Sequence, residues 1–241
     1  MTTSLRRNLK RITWLRNAVV QSRYLWECAR DRWFRDLNEM TDKSHVIKEW
    51  DFETPEVTER NRIIFAQLEN HFGSLTQANV FELGCADGVF TRELSHRCAK
   101  VTAVDVSNVG LERAKKRCSG SLNIDFLKMN ILEDCLPGKF DILFAMDVLE
   151  FLHGYDQFRK ASNSLVSAMN QGSILVMSSC RAKPEIRTAV WQNIFPEGGD
   201  AYLDFLAKRK DLSLLHSEFH PLNGADVHGY IAHVIGIFKK V

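Results

Sequence analysis

Zinc-ligand spacing is missing from this chain. Its six cysteines, Cys28, Cys85, Cys98, Cys118, Cys135 and Cys180, form no C-x-x-C pair and have no histidine partner at a suitable distance. That excludes a zinc framework and leaves reduced, mostly buried thiols. A run of about 18 apolar residues is also missing, which excludes a hydropathy-defined membrane span. Behind the N-terminal charges there is no apolar segment of roughly 7 to 15 residues, so a secretory signal is not expected and a cytoplasmic location is. Internal repeats and low-complexity tracts are absent. Charge of one sign is scarce: 32 basic and 30 acidic residues give a formal charge of +2.

What is present fits a folded enzyme-sized chain. Its 241 residues are 45% hydrophobic and 26% charged, close to globular averages. This length favours one α/β domain plus an appendage. The near-neutral total conceals an asymmetry, because residues 1–36 carry nine basic side chains against Glu27, Asp31 and Asp36, leaving the rest at −4.

Residues 1–45 read as a basic, amphipathic helical extension. Leu5, Leu9, Ile12, Leu15 and Val19 recur at helical spacing among Arg6, Arg7, Lys10 and Arg11, with Arg16 and Arg23 interrupting the stripe. With Trp14, Trp26 and Trp33, such a helix suits peripheral contact with a membrane surface. It equally suits packing on its own domain or on another subunit, and an organelle presequence is a third reading.

Residues 46–241 form the expected α/β domain. Pro55 opens a helix to about His71, after which strand-like and helix-like segments alternate. Strands are expected at Asn79–Leu83, Lys100–Asp105, Ile124–Met129, Phe140–Met146 and Ser173–Ser179, with helices at Gly88–His96, Val109–Cys118 and Tyr155–Met169. The alternation implies a parallel sheet. Leu212–Phe219 and His228–Phe238 are separated by too little chain for a crossover and must pair antiparallel. The fold class is therefore α/β, a Rossmann-like seven-stranded sheet of five parallel units and a C-terminal antiparallel hairpin, with an N-terminal helical extension.

The sharpest motif is Val80-Phe81-Glu82-Leu83-Gly84-Cys85-Ala86-Asp87-Gly88. It reads as a buried strand, an acid near its end, then a loop through Gly84, Cys85 and Gly88 whose glycines let backbone approach a ligand. The spacing E-x-G-x-x-x-G is not the G-x-G-x-x-G that seats a pyrophosphate, which favours S-adenosylmethionine (SAM) over NAD. Asp105 ends the second strand 17 residues past Gly88, where a carboxylate accepts both ribose hydroxyls; Val106 follows it. Asn130 and Ile131 stand where an amide reads the adenine edge and an aliphatic group packs on the ring. Met146 after the fourth strand borders the methionine portion.

On these residues the chain resembles class I SAM-dependent methyltransferases. Gly84, Cys85, Ala86, Gly88, Phe90 and Thr91 match the G-C-A-x-G-x-F-T of the nodulation protein S family, N-methyltransferases of chitooligosaccharide amino sugars. Trp50 and Glu59-Arg60-x-Arg62 resemble that family's W and E-R-x-R segments, whereas Trp191, Gln192 and Asn193 depart from its Trp-Gly-His. The core also resembles quinone-pathway O-methyltransferases. That resemblance implies cofactor contacts from Arg62, Gly84, Asp105 and Met146, and a guanidinium such as that of Arg62 suits the SAM carboxylate.

Methyl transfer from a sulfonium chiefly demands alignment, with a base optional for an amine and useful for a hydroxyl. Asp147, Glu150 and His153 are the candidates, each with a capping, salt-bridging or packing role as the plainer reading. The same three could face a divalent metal, as resemblance to RNA 3′-end methyltransferases would imply, but three residues alone do not define a site, and no metal is expected. The tetrapeptide [DN]-P-P-[YFW], found in families acting on base or glutamine amino groups, is absent. That absence disfavours nucleic-acid bases and glutamine side chains as acceptors, and the resemblance to the nodulation protein S family implies a small-molecule partner, saccharide or lipid-linked. A quinone-type O-methyltransferase, an RNA methyltransferase using the basic N-terminus, and a noncatalytic SAM-binding subunit are the alternatives.

Overall fold

The computed structural model describes residues 53–152, 154–182, 199–221 and 230–241. The N-terminal helix expected in residues 1–45 lies outside them, as do His153, His228 and residues 183–198, which include Trp191, Gln192 and Asn193. Among the described residues no helix is long and apolar enough to cross a membrane.

Helix α1, Pro55–His71, starts where its sequence says it should. The Thr54 hydroxyl accepts the Val57 N–H at 3.2 Å. Pro55 occupies the first turn, where its missing N–H costs nothing, and Glu56 faces the helix dipole. The helix buries Arg60, Asn61, Ile64, Phe65 and Leu68 along one stripe. The strand β1 (Asn79–Leu83) then enters the sheet, followed by α2 (Val89–Ser95), β2 (Lys100–Asp105), α3 (Asn108–Arg117), β3 (Ile124–Lys128) and β4 (Phe140–Met146). A short 3-10 turn at Leu149–Phe151 leads to α4 (Gly154–Ser167), β5 (Met169–Ala182), α5 (Gly199–Ala207), β6 (Leu212–Pro221) and β7 (Tyr230–Lys240).

The seven strands lie in the order β3-β2-β1-β4-β5-β7-β6. β1 pairs parallel to both β2 and β4, whereas β7 runs antiparallel between β5 and β6. Strand order reverses between β1 and β4, and open α/β sheets bind ligands in the crevice at such a point. Side chains alternate between two apolar layers. Val80, Ile142, Phe144, Val176, Ile235 and Ile237 pack with Ile64, Phe65 and Leu68 of α1. Phe81, Leu143, Leu175, Met177 and Phe238 pack on the opposite face with Phe158 of α4 and Tyr202 of α5.

Differences from the sequence expectation sit at the ends. β5 extends well beyond Ser173–Ser179, because β4 and β7 clamp it on both edges and the β7 pairing runs as far as Ala182–Tyr230. Helix α5 lies between the expected strands at Ser173–Ser179 and Leu212–Phe219, where no element was expected, and burial of Tyr202 and Leu206 explains why it is ordered onto the sheet. Cys85, Cys98 and Cys118 are buried free thiols as read, but Cys135 is exposed.

Candidate active site

At the end of β1, Glu82 is 2% exposed. Its Oε2 accepts the Thr91 hydroxyl at 2.6 Å. Burial pushes its carboxyl up to about 8, opposed by the Thr91 bond and reinforced by the nearby Asp105 charge. The next loop turns through positive φ three times, at Gly84 (+74°), Ala86 (+46°) and Gly88 (+82°). A Cβ on Gly84 would stand 2.6 Å from Val148 Cγ2, so the residue must be glycine for both conformation and space. Gly88 has a different reason. A Cβ there would lie 2.8 Å from the Ala114 Cα, so this glycine lets the start of α2 pack on α3.

Asp105 ties this loop to the second strand. Its Oδ2 accepts the Ala86 N–H at 2.9 Å and its Oδ1 accepts the Ser107 N–H at 2.8 Å. The carboxylate that the sequence marks for ribose is thereby held rigidly beside the loop.

A second buried cluster closes the other side of the crevice. Asp147 follows β4 in a left-handed conformation, φ +49°, which a non-glycine residue adopts at some cost. The Arg60 guanidinium, 3% exposed, forms an ion pair with Asp147 Oδ2. Ser178 donates to Asp147 Oδ1 at 2.5 Å and His233 Nδ1 lies 3.3 Å from the same oxygen. Burial alone would raise the Asp147 carboxyl, but Arg60, His233 and Ser178 outweigh it and hold the group well below the usual carboxylate range. Arg60 is itself braced, since its Nε and Nη2 both donate to Asn61 Oδ1, and Asn61 donates to Glu93.

From these two clusters Glu82, Gly84 and Ala86 on one side and Arg60, Asn61 and Asp147 on the other line one cleft, together with Cys85, Asp87, Phe90 and Met146. Of the residues marked from sequence, Glu82, Gly84, Cys85, Met146 and Asp147 border it directly, and Asp105 stands behind the loop. Arg62 does not border it. Its side chain is 67% exposed and paired with Glu59. Two residues along a helix turn the side chain by about 200°, so Arg60 faces the crevice and Arg62 faces solvent. Asn130 and Ile131 are both buried after β3. The Asn130 Oδ1 accepts the Leu132 N–H at 3.0 Å and so shapes its own turn, while Ile131 joins the core. Val106 is partly buried, and the Glu150 side chain and all of His153 lie outside the described residues.

Sequence reasoning missed Arg60, Ser178 and His233. The first was legible: Arg60, Asn61, Ile64, Phe65 and Leu68 form one helical stripe, so the buried arginine of E-R-x-R is the one in register with the apolar residues. Ser178 and His233 converge only through the pairing of β5 with β7, which has no local signal.

Residues 36–211 match the model of the family nodulation protein S (NodS). The chain is 29% identical to nodulation protein S of Rhizobium tropici over 104 residues, 43% of this chain and 44% of that one. It is 26% identical to a ubiquinone biosynthesis O-methyltransferase of Nitrosococcus oceani over 48% of this chain and 51% of the relative. The chain spans about half the length of the curated nodulation proteins it matches. In three dimensions it resembles the N-methyltransferase NodS of Bradyrhizobium japonicum WM9, solved with S-adenosyl-L-homocysteine (SAH). That likeness has a TM-score of 0.70 at 22% identity, covering 85% of this chain and 99% of that one. The fold is accordingly the seven-stranded methyltransferase fold.

Proposed function

The chain belongs to the nodulation protein S family, and from that premise we propose that it is a SAM-dependent methyltransferase acting on an amine of a small-molecule acceptor, an amino sugar or its glycolipid precursor. One observation carries the reading: two strand-end acids, Glu82 and Asp147, line a single cleft at the point where strand order reverses, and a third, Asp105, holds the loop between them from behind.

The residues fit SAM. Asp87, lining the cleft, keeps a buried Oδ1 without a hydrogen-bond partner among the described residues, and with Glu82 it offers acceptors to an ammonium group. Arg60 offers a guanidinium to a carboxylate, and Asp105 stands at the ribose position of the fold. SAM, when bound, supplies an electrophilic methyl on a sulfonium. The chain's contribution is to align the acceptor with that methyl and exclude water, and alignment alone is worth ~7 to 11 kcal/mol of barrier.

Asp147 reads as an orienting acceptor and not as a base. Arg60, Ser178 and His233 lower its proton affinity, so it takes a proton poorly. Such a carboxylate suits an amine nucleophile, whose nitrogen gains positive charge during transfer, since a fixed anion stabilises charge that develops beside it. A hydroxyl acceptor would need a base instead, which makes the quinone-type reaction the second reading; the likeness to ubiquinone O-methyltransferases supports it.

The test is transfer of tritiated methyl from SAM to oligomers of glucosamine, with the fully N-acetylated oligomers and a catechol alongside. Label on the free-amine oligomer alone is the expected result. Label on the catechol alone overturns the amine reading in favour of the hydroxyl one.

A further inference from the structure

His233 is a buried polar residue on β7, 5% exposed, and the proposed chemistry uses it only to lower the proton affinity of Asp147. On β7, Ile235 and Ile237 point into the apolar layer under α1, and strand alternation puts His233 on the same face. The register sets Ser178 opposite Ile235 and Cys180 opposite His233. Ser178 and His233 are thus diagonal neighbours across the β5–β7 pair, and both reach Asp147 Oδ1. An ionised carboxylate can only accept, so the imidazole must present Nδ1–H to it.

We propose that His233 is a positioning residue: with Ser178 it fixes the Asp147 carboxylate in its left-handed turn, one oxygen held by these two donors and the other by Arg60, so that it presents a constant face to the acceptor nitrogen. This rests on the amine-methyltransferase reading above. Without the imidazole donor, Asp147 Oδ1 keeps only Ser178. The Arg60 ion pair stays, but the carboxylate loses one of the two donors that fix its other oxygen, which is a loss of alignment at the reacting end with Arg60 and the glycine loop untouched. The effect therefore falls on turnover and not on cofactor affinity.

Two substitutions separate this role from a merely structural one. His233→Leu keeps bulk and removes the donor. His233→Asn places an amide N–H near the position of Nδ1 and has no equivalent of Nε2. With glucosamine oligomer as acceptor, His233→Leu is expected to lower kcat by about ten- to a hundredfold, the loss for one hydrogen bond to a charged group, with SAH affinity unchanged. His233→Asn is expected to recover most of that turnover. Equal loss in both variants with SAH binding intact would overturn positioning in favour of a task for the ring's other nitrogen, and full turnover in His233→Leu would overturn it outright. Nitrogen-15 correlation spectra of the imidazole decide the matter without any acceptor. The Nδ1–H tautomer, lost in Asp147→Ala, supports the proposal, and the Nε2–H tautomer refutes it. Should the wild-type protein bind SAH yet fail to methylate the oligomer, the acceptor reading fails while the tautomer still answers for His233.

Discussion

Glu82→Gln should make the protein more stable, and increasingly so as pH rises. Glu82 is nearly inaccessible to water and its carboxyl is pushed up to about 8 from 4.5. The native state therefore holds a proton that the unfolded chain has already released. Wherever the native state binds more protons, stability falls with rising pH. The contribution of Glu82 is thus fully present below about pH 4.5 and is lost progressively as pH climbs to about 8. A tenfold change in proton affinity is worth about 1.4 kcal/mol, so the full window amounts to at most about 5 kcal/mol. Glutamine is isosteric, does not ionise, and still accepts the Thr91 hydroxyl. Denaturant unfolding of both proteins from about pH 4.5 to about pH 8.5 should give curves that coincide at the acid end and diverge by several kcal/mol at the alkaline end. A difference that stays flat across that range would refute the reasoning. SAH affinity supplies the functional counterpart: near pH 8 the variant should bind more weakly, because it lacks the carboxylate that the proposed function assigns to the cofactor's ammonium.

Gly84→Ala should cost about 2 to 5 kcal/mol in urea unfolding, combining the left-handed backbone penalty with the clash on Val148. Adding Val148→Ala should return the packing part of that loss and leave the backbone part; a single mutant within about 0.5 kcal/mol of wild type, the usual size of neutral changes, would contradict the geometry. Arg60→Met should destabilise by about 3 to 5 kcal/mol, since it leaves the Asp147 carboxylate buried without its cation. Removing that charge by Asp147→Asn in the same chain should recover part of the loss in thermal unfolding, and strict additivity would show that the two residues do not interact.

The parallel sheet was legible because local and global signals agree there. β1, β2 and β4 are short apolar runs buried on both faces, and each begins and ends where its composition changes. The cofactor end of the site was legible for a related reason: Glu82, Gly84 and Asp105 lie at or just past strand ends, so their position in the fold is set by their position in the sequence. The quinone-pathway resemblance implies Arg62, but a resemblance in spacing carries no information on which face of α1 is buried. The stripe from Arg60 to Leu68 answers that question and puts Arg60 at the crevice. Ser178 and His233 meet Asp147 across 31 and 86 residues of chain. No local pattern encodes that contact, which depends on β7 inserting antiparallel beside β5.

Whether this cleft holds SAM is decided by calorimetric titration of the full chain with SAH, repeated on Asp105→Ala. Asp105 stands at the ribose position and accepts two backbone N–H groups of the loops around it. Micromolar binding is expected for the wild-type protein, with a loss of about 1 to 3 kcal/mol or more in the variant. Wild-type affinity in Asp105→Ala, or no binding by either protein, would contradict the assignment of this cleft to SAM.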